Sequence, residues 1–232
     1  MYNATVVIKI RNVARAMGVT KVLSKLRSGD VYEERFGNAM LAAVTPGAIV
    51  WDIGANVGFY TAKFANSVGL QGKVVAFEPT TPAFAKLKAA TQQFANVIYV
   101  NAALGSKNGS VTFDLGTGDG DPTARIVDGS KKASGAIEQL PMYTGEEAMR
   151  RESLPQPTFV KIDVEGFEPD VVEGLRPVLA SLVCRDVFIE VHFGLLDQRG
   201  KSGSVEAIRK GLLSMGYQVN WIDASHLHAK RG

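Results

Sequence analysis

The chain has 232 residues, 46% of them apolar and 21% charged, with a formal net charge of +3. That length suits one large α/β domain with a sizeable core, and the composition is that of a globular protein rather than a disordered one. A single cysteine, Cys184, excludes an internal disulfide and any CxxC metal or redox pair, and its apolar setting, Leu182-Val183-Cys184, marks it as a small core residue.

Charge is unevenly spread. Lys9, Arg11, Arg15, Lys21, Lys25 and Arg27 fall within residues 1–29, where no acid stands, leaving 20 basic residues against 23 acidic ones elsewhere. Such an end can meet a membrane surface, a nucleic acid or an anionic substrate, or serve only as a solvated helical flank. The remaining chain has no basic stripe interleaved with aromatics, so no nucleic-acid partner is expected. No apolar run approaches the roughly 20 residues of a membrane span, and no uninterrupted apolar leader opens the chain. A cytoplasmic protein without stable membrane insertion is expected.

Residues 1–44 read as mainly helical, too few for an independent core, and are expected to cap a catalytic α/β core over 45–232. From there short β-branched runs alternate with helical patterns. Strands are expected at Ile49–Ile53, Val74–Glu78, Val97–Asn101, Phe159–Asp163 and Val187–Val191, each apolar on both faces. Helices are expected at Asn56–Val68, where Tyr60, Phe64 and Val68 recur every four residues, at Pro82–Phe94 and at Pro169–Ser181. The alternation predicts a doubly wound, mostly parallel sheet within a single domain, 1–232. A helix at Ser204–Met215 and a strand at Tyr217–Ile222 follow, the strand a candidate to enter the sheet antiparallel. The polar insert Asp114–Gly135 interrupts the rhythm. Its flanks, Val111–Leu115 and Ile137–Tyr143, can pair as an antiparallel extension, and the insert reads as a loop covering the substrate. Asp119-Gly120-Asp121 hints at calcium, but Ser130 stands where the twelfth-position Glu would be needed.

Ligands in open α/β sheets bind beyond the carboxyl ends of the strands. Asp52 stands at such an end, Gly54 permits a sharp turn, and Gly58 permits close approach. The stretch resembles a dinucleotide fingerprint but carries Asn56 where a pyrophosphate needs the second glycine. Glu78, 20 residues after Gly58, sits where a carboxylate accepts both hydroxyls of a ribose. A ribose, a small anion and a cation near Asp52 describe S-adenosylmethionine; a nicotinamide-dependent oxidoreductase is the alternative. Asn101 either reads an adenine edge or caps a turn. Asp163 and Glu165 follow the fourth strand, and Glu190 and His192, two apart, would point to one sheet face. A lone His in an apolar segment is more often a satisfied core residue, but here it joins three acids at adjacent strand ends.

D-I-G-A-N-V-G-F-Y-T from Asp52, A-F-E-P from Ala76, V-K-I-D-V-E-G-F-E from Val160 and I-E-V-H from Ile189, in that order and spacing, resemble the FkbM family of methyltransferases over more than half of the chain. The resemblance implies a Rossmann-like class I fold, a seven-stranded sheet with an antiparallel strand near the C-terminus. It also implies S-adenosylmethionine-dependent methylation of hydroxyls on sugars, glycolipids or macrolide-type natural products. It places Asp52, Gly54, Ala55, Asn56, Gly58 and Phe59 at the cofactor loop, Glu78 and Pro79 at the ribose, and Asn101 and Ala102 near the adenine. Asp163 and Glu165 would face the methyl group and the acceptor. One departure stands out: family members show a Leu-Asp pair before the fourth strand, where this chain reads Met142-Tyr143-Thr144-Gly145-Glu146-Glu147.

An aliphatic hydroxyl is a poor nucleophile, so a base within hydrogen-bond reach is expected. The candidates are His192 and Asp163, with Glu190 orienting. No metal is expected, although Asp163, Glu165 and Glu190 together would suit Mg²⁺. The partner is a small-molecule or glycan acceptor. A cofactor-binding scaffold without catalysis is the remaining rival, and the intact Asp52, Gly54, Gly58, Glu78 and Asp163 weigh against it.

Overall fold

The computed structural model describes residues 29–114, 125–126 and 136–232. The basic stretch at 1–28, the Asp119-Gly120-Asp121 sequence and most of the insert lie outside the described residues.

The strand β1 (Ile49–Ile53) lies inside the main sheet, paired in parallel with β2 (Lys73–Phe77) and with β8 (Phe159–Ile162). β3 (Val97–Val100) flanks β2 and β9 (Asp186–Glu190) flanks β8, also in parallel. β10 (Gln218–Trp221) and β11 (His226–Lys230) complete a seven-stranded sheet in the order β10-β11-β9-β8-β1-β2-β3. Alternate residues of these strands feed two separate cores, as the period of two requires. Trp51, Ile53, Val75, Phe77, Val160 and Ile162 pack on one face, and Val50, Val74, Ala76, Phe159 and Phe188 on the other. Cys184 is a free buried thiol in the first of these cores.

The antiparallel strand is not the expected one. Tyr217–Ile222 forms β10, but the strand that runs against β9 is β11, inserted between the two. Its sequence, His-Leu-His-Ala-Lys, hides its burial because the histidines are covered by aromatic rings. His226 stacks on Phe36 at 4.0 Å and His228 on Phe188 at 3.9 Å.

Helices pack on both faces. α1 (Gly29–Ala43) buries Phe36 and Met40 against the second core, within the expected N-terminal cap. α2 (Phe59–Val68) starts three residues later than expected, because Asn56 and Gly58 take φ of 49° and 89° and hold the chain in a left-handed turn. α3 (Thr81–Thr91) precedes β3. The expected helix over Pro169–Ser181 is two short ones, α5 (Glu168–Gly174) and α6 (Arg176–Ala180), since Pro177 has no N–H to continue the first. α4 (Gly145–Glu152) precedes β8; α7 (Phe193–Gln198) and α8 (Ser204–Ser214) follow β9.

The insert's flanks pair as expected, β5 (Gly109–Asp114) antiparallel to β7 (Ile137–Tyr143). They belong, however, to a second, four-stranded sheet with β4 (Ala103–Leu104) and β6 (Arg125–Ile126). The segment expected to be all loop therefore contributes a strand, Arg125–Ile126, on β5. No helix of the described residues is long and apolar enough to cross a membrane.

Candidate functional site

The register of the sheet builds the floor of the site. Asp52 lies directly opposite Lys161, both on the second core's face. The Lys161 ammonium donates to Asp52 Oδ1 at 3.0 Å and to the Gly54 carbonyl at 3.2 Å, and Thr61 donates to Asp52 Oδ2 at 2.6 Å. Burial works to lower Lys161, but the carboxylates of Asp52 and Asp163 outweigh it and hold the ammonium above its usual range. Asp52 is wholly buried. The expected ligand cation beside it is thus the protein's own lysine, and Asp52 supports the turn from beneath.

Above this floor the chain turns at Gly54, with φ of 76°. A Cβ there would stand 1.8 Å from the Asp163 carbonyl, so only glycine lets the ends of β1 and β8 approach. At Gly58 the close neighbour is Leu87 of α3, at 2.9 Å from a built Cβ, so this glycine serves packing. The turn delivers the Asn56 N–H to Glu78 Oε2 at 3.0 Å, while Thr80 gives its N–H and hydroxyl to Oε1 at 2.9 and 2.7 Å. A carboxylate accepts about four hydrogen bonds, so one lone pair of Oε2 remains for a ligand. Thr80 thus fills both sites on Oε1, where the sequence expectation would have put a ligand hydroxyl. Burial raises Glu78 above the usual carboxylate range despite these donors.

Glu78, Pro79 and Ala102 line a cavity of about 150 Å³ together with Phe77, Phe113 and Phe167. Asn101 stays outside this wall. Its amide donates to the Glu78 and Pro79 carbonyls at 3.0 and 2.7 Å, so it holds the turn that presents Glu78. Of its two readings, turn-holding is the one the geometry supports.

A second carboxylate centre lies at the ends of β8 and β9. Asp163 follows β8, and Glu165 and Gly166 form a left-handed turn with φ of 50° and 90°. His192 Nε2 faces Glu165 Oε2 at 3.4 Å, Asp163 Oδ1 at 3.8 Å and Glu190 Oε1 at 3.8 Å. The imidazole is oriented by Glu168, whose Oε1 meets Nδ1 at 2.8 Å and also accepts the Gly166 N–H. Glu190 is not the orienting partner, because its Oε1 stays 3.8 Å from Nε2, beyond hydrogen-bond reach. Its second oxygen instead faces His226 at 3.6 Å. Burial works against the imidazolium, but Glu168, Asp163 and Glu165 outweigh it and bring His192 up to about 9. Burial raises Asp163 and Glu165. For Glu190 the neighbouring histidines outweigh burial and lower it. Asp163, Glu165 and His192 each offer a ligand-type atom within 4.8 Å of the others, a spacing one cation can bridge. His192 takes the place that the sequence expectation gave to Glu190.

A larger cavity of about 650 Å³ adjoins the first. Gly54, Asn56 and Asp163 line both. Ala55 and Phe59, expected at the cofactor loop, line only this second cavity, with Asn38, Tyr60 and Lys63. His192 and Glu190 line neither; His192 stands beside Asp163 and Glu165, at 3.8 and 3.4 Å.

Lys161, Glu168 and Thr80 carry roles that the sequence did not assign. A lysine inside the apolar strand Phe-Val-Lys-Ile was a legible signal, since a buried ammonium requires a carboxylate. Glu168 and Thr80 gave no comparable signal.

A family model described as the methyltransferase FkbM domain matches residues 52–219. The chain is 29% identical over 150 residues to the hexuronic acid methyltransferase AglP of Haloferax volcanii, covering 63% of this chain and 57% of that one. Among solved structures it is similar to methyltransferase FkbM of Methylobacillus flagellatus, with 15% identity, a TM-score of 0.50, and coverage of 78% of this chain and 43% of that one. It is also similar to Streptococcus mutans SMU.1697c, solved in complex with SAH, with 11% identity, a TM-score of 0.52, and coverage of 86% and 97%. The chain thus spans little more than half the length of AglP.

Proposed function

The chain belongs to the FkbM methyltransferase family, and from that premise we propose that it is an S-adenosylmethionine-dependent O-methyltransferase acting on a hydroxyl of a sugar, glycolipid or natural product. Its architecture is the Rossmann-like fold of class I methyltransferases. The observation that carries the reading is Asp163, which lines both cavities. A methyl donor in one and an acceptor in the other would meet at that residue.

The residues fit the cofactor. Glu78 keeps one acceptor site for a ribose hydroxyl, and Phe77, Phe113 and Phe167 offer apolar walls to a purine. Asp163, Glu165, Glu168 and Glu190 outnumber the nearby cations Lys161 and His192, which favours a positively charged ligand. When bound, S-adenosylmethionine supplies a methyl group already activated on a sulfonium. Asp163 would act as the catalytic base, accepting the proton that the acceptor hydroxyl loses as it takes the methyl group. Burial, by raising Asp163, makes it a stronger base than an ordinary carboxylate. His192 and Glu168 are positioning residues behind it, and the imidazolium opposes part of the rise that burial imposes on Asp163 and Glu165. The hydroxyl-bearing sugar acceptor draws support from the relative AglP, a hexuronic acid methyltransferase.

The test is calorimetric titration with S-adenosylmethionine and, as control, NAD⁺. Only the sulfonium cofactor is expected to bind, and Glu78→Ala to weaken it about 10- to 100-fold, the range for one hydrogen bond to a charged group. Binding of NAD⁺ alone would establish the oxidoreductase alternative.

A further inference from the structure

We propose that the second cavity takes a sugar bearing a carboxylate, with its ring against Phe59 and its carboxylate paired with Lys63. The inference rests on the methyltransferase reading and deepens it by naming the acceptor class. Three observations carry it.

The cavity's mouth has an apolar ledge. Phe59 is 59% exposed and Val57 44%, both on the lining. An exposed apolar patch beside a polar cavity marks a ligand-binding groove, and the C–H face of a pyranose is a fitting cover for an aromatic ring.

A cation stands beside the ledge. Lys63, one helical turn after Phe59, holds its ammonium 4.0 Å from that ring's centroid and 5.6 Å from the Tyr60 centroid. It is half-buried, and among the described residues it makes no ion pair with a carboxylate. Lys161, the other basic group of this wall, is already taken by Asp52. Lys63 is therefore the ammonium left to receive a ligand's anionic group.

Charge also orients the ligand. Asp163 is the acid on this cavity's lining, backed by Glu165 and Glu190. That end repels a carboxylate and accepts a hydroxyl as hydrogen-bond donor. An acidic sugar drawn to Lys63 thus presents a hydroxyl to the base, and its product is a methyl ether.

The experiment pairs binding with turnover. Calorimetry with SAH-saturated protein compares methyl glucuronoside with methyl glucoside. A methyl-transfer assay with labelled S-adenosylmethionine uses the same two sugars, and products are treated with mild alkali, which cleaves esters and leaves ethers. The glucuronoside is expected to bind and react in preference, giving an alkali-stable product. Lys63→Gln is expected to raise its KM about tenfold or more, with kcat and cofactor affinity near wild type and the glucoside little affected. Equal use of both sugars, an unchanged KM in Lys63→Gln, or cofactor binding with neither sugar bound would overturn the proposal. An alkali-labile product would overturn the orientation. Failure to bind S-adenosylmethionine at all would instead remove the methyltransferase reading, and this proposal with it.

Discussion

Two carboxylate centres stand at the same edge of the sheet and are built in opposite ways. At Glu78, one carboxylate meets three donors at 2.7–3.0 Å from Asn56 and Thr80. At His192, Asp163, Glu165 and Glu190 crowd one imidazole nitrogen at 3.4–3.8 Å, beyond good hydrogen bonds. The first centre is satisfied and rigid, suited to hold a neutral hydroxyl in place. The second carries excess negative charge, suited to a cation and to proton transfer. On the proposed function, binding and chemistry would be divided between the two centres, and Gly54 lets the ends of β1 and β8 meet between them.

The largest expected effect comes from breaking the ion pair beneath both centres. Lys161→Met leaves Asp52 buried and uncompensated, and should cost about 3–5 kcal/mol in urea unfolding. The double variant Asp52→Leu/Lys161→Met should recover much of that loss, because it removes both buried charges. A double variant no more stable than the single one would refute the uncompensated charge as the cause.

The comparison sharpens in kinetics. Asp163→Asn should lower kcat by about 10²- to 10⁴-fold, the usual worth of a general base, with cofactor affinity changed far less. Glu78→Gln should do the reverse, raising the cofactor Kd about tenfold or more and leaving kcat at saturation close to wild type. If both variants moved the same parameter, binding and chemistry would not be divided as proposed.

Smaller shifts are expected in the pH profile. Activity should rise as Asp163 ionises, above the ordinary carboxylate range, and fall as His192 deprotonates near 9. Glu168→Gln removes the carboxylate that stabilises the imidazolium, so the alkaline limb should move to lower pH. A limb that stays in place would assign it to another group.

A further effect is on stability. The folded pKa of His192, about 9, lies above its unfolded value near 6.5. Its contribution is therefore fully present below about pH 6.5 and lost as pH rises through about 9. The stability gap between wild type and His192→Gln, read from thermal unfolding, should shrink across that window.

Much of this was legible in the amino acids. Apolar runs such as Ile49–Ile53 and Phe159–Ile162 announced a buried parallel sheet because only strands covered on both faces are apolar throughout. Local spacing also put Glu78 at the end of β2, where it lines the smaller cavity, since a strand-turn-helix unit has a nearly fixed length. Elements whose burial depends on distant partners escaped: β11 looked polar because Phe36 and Phe188, which stack on its histidines, are far away in sequence.

The sequence by itself determined the five parallel strands, the glycine turn and which strand ends carry acids, because each follows from local period and backbone sterics. Only the tertiary structure decided what those acids meet. Asp52 faces Lys161 across 109 residues of chain, and Glu168 rather than Glu190 orients His192 because it reaches the ring at 2.8 Å while Glu190 stays at 3.8 Å. Phe59 and Lys63 of α2 share one cavity's wall with Gly37 and Asn38 of α1. Charge pairing depends on distance in space, and the order of residues along the chain does not carry it.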